Sequence, residues 1–211
     1  MPFLDPGMTP LDPRRRVARE AARLLYTGAA EEYKQAKEMA ARSLGFEAMP
    51  SNFDVALELD LLAGEMEGEG RRHLLIMMRG DALRVMKALK GSDPRLTGSV
   101  WRGTARRGSD IDIIVHAPRP GEISERLSAS GFAIEGVEEV GVSKRGMPRR
   151  SHHIAVGLDG YEAEVVVRPP GEEVGPCEIY GDLKRGLSLP ELERLMRRDP
   201  LRRFVPRRRY R

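Results

Sequence analysis

The chain has 211 residues, 40% of them hydrophobic and 32% charged. That is enough apolar material for one substantial core with attachments, and more charge than the usual quarter. It lacks any run of about 18 apolar residues, which excludes a transmembrane helix, and its single cysteine, Cys177, excludes an internal disulfide.

The beginning, Met1 to Pro6, does not follow a basic segment with an apolar one, so no secretory signal is read there. The expected location is a reducing cytoplasm, without a membrane partner. No Cys/His cluster has zinc spacing, and no Gly-x-x-x-x-Gly-Lys loop is present. The net charge is +4, yet Arg202 to Arg211 holds six Arg and no acid. Removing those six charges leaves about −2 for the rest, so this is a near-neutral chain with a basic tail.

In chain order, residues 1–13 are a proline-rich lead-in. Apolar residues at Val17, Ala21, Leu24 and Leu25 predict a helix over 14–26, ended by Thr27 and Gly28. Tyr33, Ala36, Ala40 and Leu44 repeat the period before Gly45. Ser51 reads as the cap of a third helix, which runs to the glycines at 64, 68 and 70. A fourth helix, 71–90, carries Leu74, Leu75, Met78, Leu83, Val85, Met86 and Leu89, and its methionines read as core. Gly91 to Pro94 marks a boundary, after which strands dominate. A short strand is expected at 96–99, then a short helix around Trp101 and a strand over 110–116. A helix at 122–130 and strands at 132–142, 150–158 and 161–168 follow. Asp159-Gly160 is a two-residue hairpin signal between the last two strands. Pro169, Pro170 and Gly171 break the pattern, and Ser188 caps a final helix to about Arg198.

The chemistry concentrates between Leu96 and Val115. In Asp110-Ile111-Asp112-Ile113-Ile114-Val115 polar and apolar residues alternate, which puts both aspartates on one face of a strand. Two carboxylates about 7 Å apart on a rigid strand can hold a pair of divalent cations. Upstream, Gly98 permits close backbone approach to phosphate oxygens, and the Ser99 hydroxyl can donate to one. Metals beside a small-residue phosphate cradle imply a nucleoside triphosphate. Ser109 either donates to a phosphate or closes the turn before Asp110. Arg106 and Arg107 read as a solvated turn, Trp101 as core packing rather than a stacking platform, and His152 and His153 as structural. Glu162 and Glu164 share a face of the strand at 161–168, where a third acidic ligand would be sought.

Gly98-Ser99, Arg102-Gly103 and the Asp110-x-Asp112 pair, with apolar runs on either side, resemble the signature of the DNA polymerase beta-like nucleotidyltransferase superfamily. The form is similar to that of archaeal CCA-adding enzymes and covers roughly residues 91–170. The resemblance implies an α/β (α+β) fold: a small mixed sheet with flanking helices and an N-terminal helical region. The domains expected are 1–90 helical, 91–170 catalytic, and 171–211 a C-terminal helix with an Arg-rich tail. It implies transfer of an NMP from an NTP to an acceptor hydroxyl, with two Mg²⁺ or Mn²⁺ ions held by Asp110, Asp112 and Glu164. Glu164 stands where those enzymes carry an Asp, with Glu162 second in line. It also implies nucleotide contacts from Gly98, Ser99 and Arg102. The acceptor is open among RNA, held by the tail, a small molecule and protein. A regulatory or antitoxin-like binding protein, partnered through the N-terminal helices, is the rival expectation.

Overall fold

The computed structural model describes residues 12–144, 147–171, 179–182 and 186–206. Cys177 and residues 207–211 of the Arg-rich tail, where contact with an RNA acceptor is one of the expectations, lie outside the described residues. The chain forms two compact units, Met1–Met66 with Glu178–Gly181, and Glu67–Cys177 with Asp182–Arg211.

The first unit is helical. Helix α1 (Pro13–Tyr26) starts with the Asp12 side chain accepting from the Arg14 amide and Pro13 at its first position, where a missing amide proton costs nothing. Helix α2 (Tyr33–Leu44) ends at Gly45, whose φ of 68° is the left-handed cap that glycine takes most readily. Ser51 and Asp54 cap the start of α3 (Asn52–Ala88) reciprocally: the Asp54 amide donates to Ser51 Oγ and the Ser51 amide to Asp54 Oδ2, each at 3.1 Å. Val17, Ala18, Ala21, Ala22, Ala36, Ala40 and Val55 lie in the core with Leu24 and Leu25, and the small side chains among them let the helices approach closely. Of the glycines at 64, 68 and 70, only Gly68 leaves helical geometry (φ 53°, ψ −133°). The third and fourth predicted helices are thus the two arms of α3.

The second unit is a six-stranded mixed sheet with flanking helices. The remaining elements are β1 (Arg95–Leu96), α4 (Gly98–Arg102), β2 (Ile111–His116), α5 (Pro120–Ala129), β3 (Ala133–Lys144), β4 (Met147–Gly157), β5 (Glu162–Arg168), β6 (Leu187–Ser188) and α6 (Leu189–Arg198). The strand order is β3-β4-β5-β2-β1-β6. Among the described strands only β2 and β5 run parallel, and every other neighbouring pair is antiparallel. The predicted hairpin joins β4 to β5, with Gly160 at φ 87° and the Leu158 amide bonded to the Tyr161 carbonyl. β6, two residues long, is an edge pairing too short to carry a pattern.

One sheet face is the core. Ile111, Ile113 and Val115 of β2, Ala163, Val165 and Val167 of β5, and Ile154 and Val156 of β4 are essentially inaccessible. They pack with Met78, Val85 and Met86 of α3, Ile123 and Leu127 of α5, and Leu192 and Leu195 of α6. Because side chains alternate along a strand, Asp112, Glu164 and His153 are presented on the opposite face. Among the described residues no helix is long and apolar enough to cross a membrane.

Candidate active site

The parallel pairing of the two central strands aligns Asp112 of β2 with Glu164 of β5 as direct register partners. Strands in a sheet are about 4.8 Å apart, so these carboxylates, from positions 52 apart in sequence, are neighbours on one face. Asp110 stands just before the first residue of β2 and is exposed, while Asp112 and Glu164 are partly buried. The crowding shows in the Asp112 carboxyl. Burial first, then the negative charges of Asp110 and Glu164, lift it from the ordinary carboxylate range to about 7.

Gly98 closes a second side of Asp112. It has φ 64°, and a Cβ added there would lie 1.7 Å from Oδ2 of Asp112. The Thr97 amide donates to the Asp112 carbonyl at 2.8 Å, which ties the end of β1 to the same residue. Ser99 follows in the first turn of α4, and its carbonyl accepts from the Thr104 amide at 3.0 Å. The Ser109 hydroxyl accepts from the Arg106 amide at 3.1 Å, closing the turn that delivers Asp110.

Arg102 is engaged with the C-terminal part of this unit. Its side chain is 2% exposed and meets Asp182 with two guanidinium nitrogens, while Nη1 also donates to the Phe204 carbonyl at 2.9 Å. Its guanidinium carbon lies 4.0 Å from the centroid of the Trp101 ring. These contacts fasten the C-terminal segment to α4. Glu162, at the other end of the expected pair, is exposed at the start of β5 and pairs across from Gly157.

His153, read from sequence as structural, lies beside the acids. Its Nδ1 is 2.7 Å from Oε1 of Glu164, and its Nε2 is 3.0 Å from Oγ of Ser151. The sequence signal was its parity with Ala155, the residue paired with Glu164, and that parity becomes readable only once β4 is known to pair with β5.

Among the described residues no three His, Cys, Asp or Glu side chains converge into a ready-made metal cage. The donor chemistry fits Mg²⁺ or Mn²⁺ all the same. The acids offer only hard carboxylate oxygens, and a bound cation would offset both the burial of the Asp112 charge and its repulsion by Asp110 and Glu164.

Residues 82–147 match the model of the nucleotidyltransferase domain family. The match contains Gly98, Ser99, Arg102, Ser109, Asp110 and Asp112 and stops short of Glu164. No curated protein matches the chain. Among solved structures, the chain is similar to a Cid1 poly(U) polymerase, at 18% identity over 55% of this chain and 35% of that one, with a TM-score of 0.28. It is also similar to a cytoplasmic RNA terminal U-transferase, at 20% identity over 55% and 34%, with a TM-score of 0.27. A third is Cid1 in complex with the UTP analogue UMPNPP, at 19% identity over 52% and 36%, also at 0.27. The aligned part spans about a third of the length of these proteins, and at such scores the likeness carries no argument about chemistry.

Proposed function

We propose that the nucleotidyltransferase domain of this chain moves an NMP from an NTP to an acceptor hydroxyl, with RNA the acceptor class. The observation that carries the reading is the register pairing of Asp112 with Glu164, with Asp110 one step before the strand and Gly98 against the Asp112 carboxylate. Asp110, Asp112 and Glu164 would hold the divalent ions. When bound, those ions neutralise the triphosphate and make the acceptor hydroxyl more acidic.

The chain's own residues do the rest. Gly98, lacking a side chain, keeps the Asp112 carboxylate accessible and leaves backbone room for phosphate oxygens. The Ser99 hydroxyl donates to one of those oxygens. The sheet keeps the acids rigid, so little rearrangement is needed as charge develops. In the overall reaction the acceptor hydroxyl gives up its proton to solvent as its oxygen bonds to the α-phosphorus, the bond from that phosphorus to the bridging oxygen breaks, and pyrophosphate leaves. The support for RNA is the run of arginines ending the sequence, suited to phosphates, with Tyr210 able to stack on a base.

The test is incubation with each labelled NTP, Mg²⁺ or Mn²⁺, and total RNA or cell lysate. RNA labelled by wild type and not by Asp110→Asn or Asp112→Asn is the expected result. Labelled protein or small molecule would move the acceptor class. Absence of any labelled acceptor would leave the regulatory binding module.

A further inference from the structure

We infer that His153 is a positioning residue for Glu164, set in place by Ser151, and that this relay lets a glutamate serve as the third acid of the site. The inference rests on the proposed nucleotidyl transfer and adds two residues to it.

The geometry is a three-residue chain along one sheet face. Ile154 and Val156 of β4 point into the core, so Ser151, His153 and Ala155 point the other way, towards the side that carries Glu164. Glu164 pairs with Ala155, and His153 is two residues along the same face. That offset lets its ring reach back to Glu164, with Nδ1 at 2.7 Å from Oε1. A carboxylate only accepts, so Nδ1 carries the proton. In the neutral ring Nε2 then has a free lone pair, and the Ser151 hydroxyl, at 3.0 Å, donates to it. Ser151 thereby selects the tautomer that donates to Glu164, as outer partners of ligating groups commonly do.

Glutamate has one more rotatable bond than aspartate, and its carboxylate is correspondingly less fixed. The His153 bond holds Oε1 and so limits rotation of the whole carboxylate, leaving Oε2 as the oxygen not engaged by the ring. Neither side chain is fully exposed, at 26% for His153 and 35% for Glu164. The bond is therefore partly shielded from water and stronger than a surface contact.

The test has two readouts on the full chain. One is Mn²⁺ binding to the metal-free protein, followed by electron paramagnetic resonance, which requires no turnover. The other is the split of transfer kinetics into kcat and KM. His153→Ala should weaken Mn²⁺ binding and lower kcat by about 10–100-fold, with the NTP KM changed by less than about three-fold. His153→Asn, whose side-chain amide can occupy the place of Nδ1–H, should recover most of both losses. In a Glu164→Ala background His153→Ala should cost nothing further, because residues acting through one contact are not additive. Ser151→Ala should show a smaller loss in the same direction.

Unchanged or tighter Mn²⁺ binding in His153→Ala overturns the inference. So does an equal loss with and without Glu164, or failure of His153→Asn to recover either readout. If His153→Ala does not fold by circular dichroism, His153→Asn and Ser151→Ala decide by the same criteria. Wild type that transfers no nucleotide, yet loses Mn²⁺ affinity on His153→Ala, would refute the proposed function and keep the relay. Transfer and Mn²⁺ binding both indifferent to His153 would remove the relay alone.

Discussion

Gly98 and Asp112 approach so closely that a side chain at 98 has no place to go: its Cβ would fall 1.7 Å from Oδ2 and 2.6 Å from Cγ of the aspartate. The obstruction is the very carboxylate proposed to hold metal. Gly98→Ala must therefore turn Asp112 aside or shift the start of α4, in addition to the strain of φ 64° on a non-glycine residue, about 1–3 kcal/mol. The expected outcome is a fall in transfer of at least about 100-fold, of the size seen when a reacting geometry is misplaced by an ångström. Thermal stability should fall modestly. Transfer by Gly98→Ala at the wild-type rate would contradict the contact.

Asp112→Asn should abolish transfer while raising the stability of the metal-free protein at pH 8. The folded state lifts the Asp112 carboxyl to about 7, so folding favours its protonated form. The sign follows directly: this group's contribution is fully present below its unfolded value near 4, declines as pH rises towards 7, and is gone above it. The difference is of the order of 4 kcal/mol at most. Melting in chelator from pH 4 to pH 8 should show that decline in wild type and a flatter profile in Asp112→Asn. Identical profiles would refute the upward shift of the Asp112 carboxyl.

Arg102 and Asp182 should behave as one structural unit. Removing either partner strands the other, and a buried guanidinium without its carboxylate is costly. Asp182 remains 26% exposed, so water softens the loss. Asp182→Ala and Arg102→Gln are each expected to cost about 1–3 kcal/mol in urea denaturation, with the double variant well short of the sum. Additive losses would show that the contact carries no coupling.

Deleting residues 206–211 removes four Arg. If all four contact RNA phosphates, the log–log salt slope of binding should become shallower by about 3, at roughly 0.7 per arginine for a single strand. NTP binding should not change. RNA titrations over a salt series decide it, and identical slopes would remove the tail from the proposal.

Much of the fold could be read from local pattern. The helical period of α1 and α2, the glycine stop at 45, the Asp159-Gly160 hairpin and the Ser188 cap are short-range signals, and short-range physics governs them. The alternation in β2 and β5 gave each acid a face but not a neighbour. That Asp112 meets Glu164 depends on a parallel pairing of strands far apart in sequence, which no local signal encodes. His153 was opaque for the same reason. The family resemblance implies a nucleotide contact from Arg102. Its contacts with Asp182 and Phe204, 80 and 102 positions later, are tertiary and carry no local signal.

Arg79 ties the two ends of this unit into a single timetable. Its guanidinium, with no accessible surface and its basicity lowered by burial to about 10, donates to the carbonyls of Val100 and Trp101 in α4 and of Pro200 and Arg202 beyond α6. Until residue 202 has been synthesised, half of those acceptors do not exist, and a desolvated cation would be left without them. A nascent chain that has already made both aspartates and Glu164 still lacks two of the four carbonyls that surround the Arg79 guanidinium against α4, the helix that Gly98 and Ser99 begin. On the ribosome the acidic cluster would be made before the anchor of its neighbouring helix is complete.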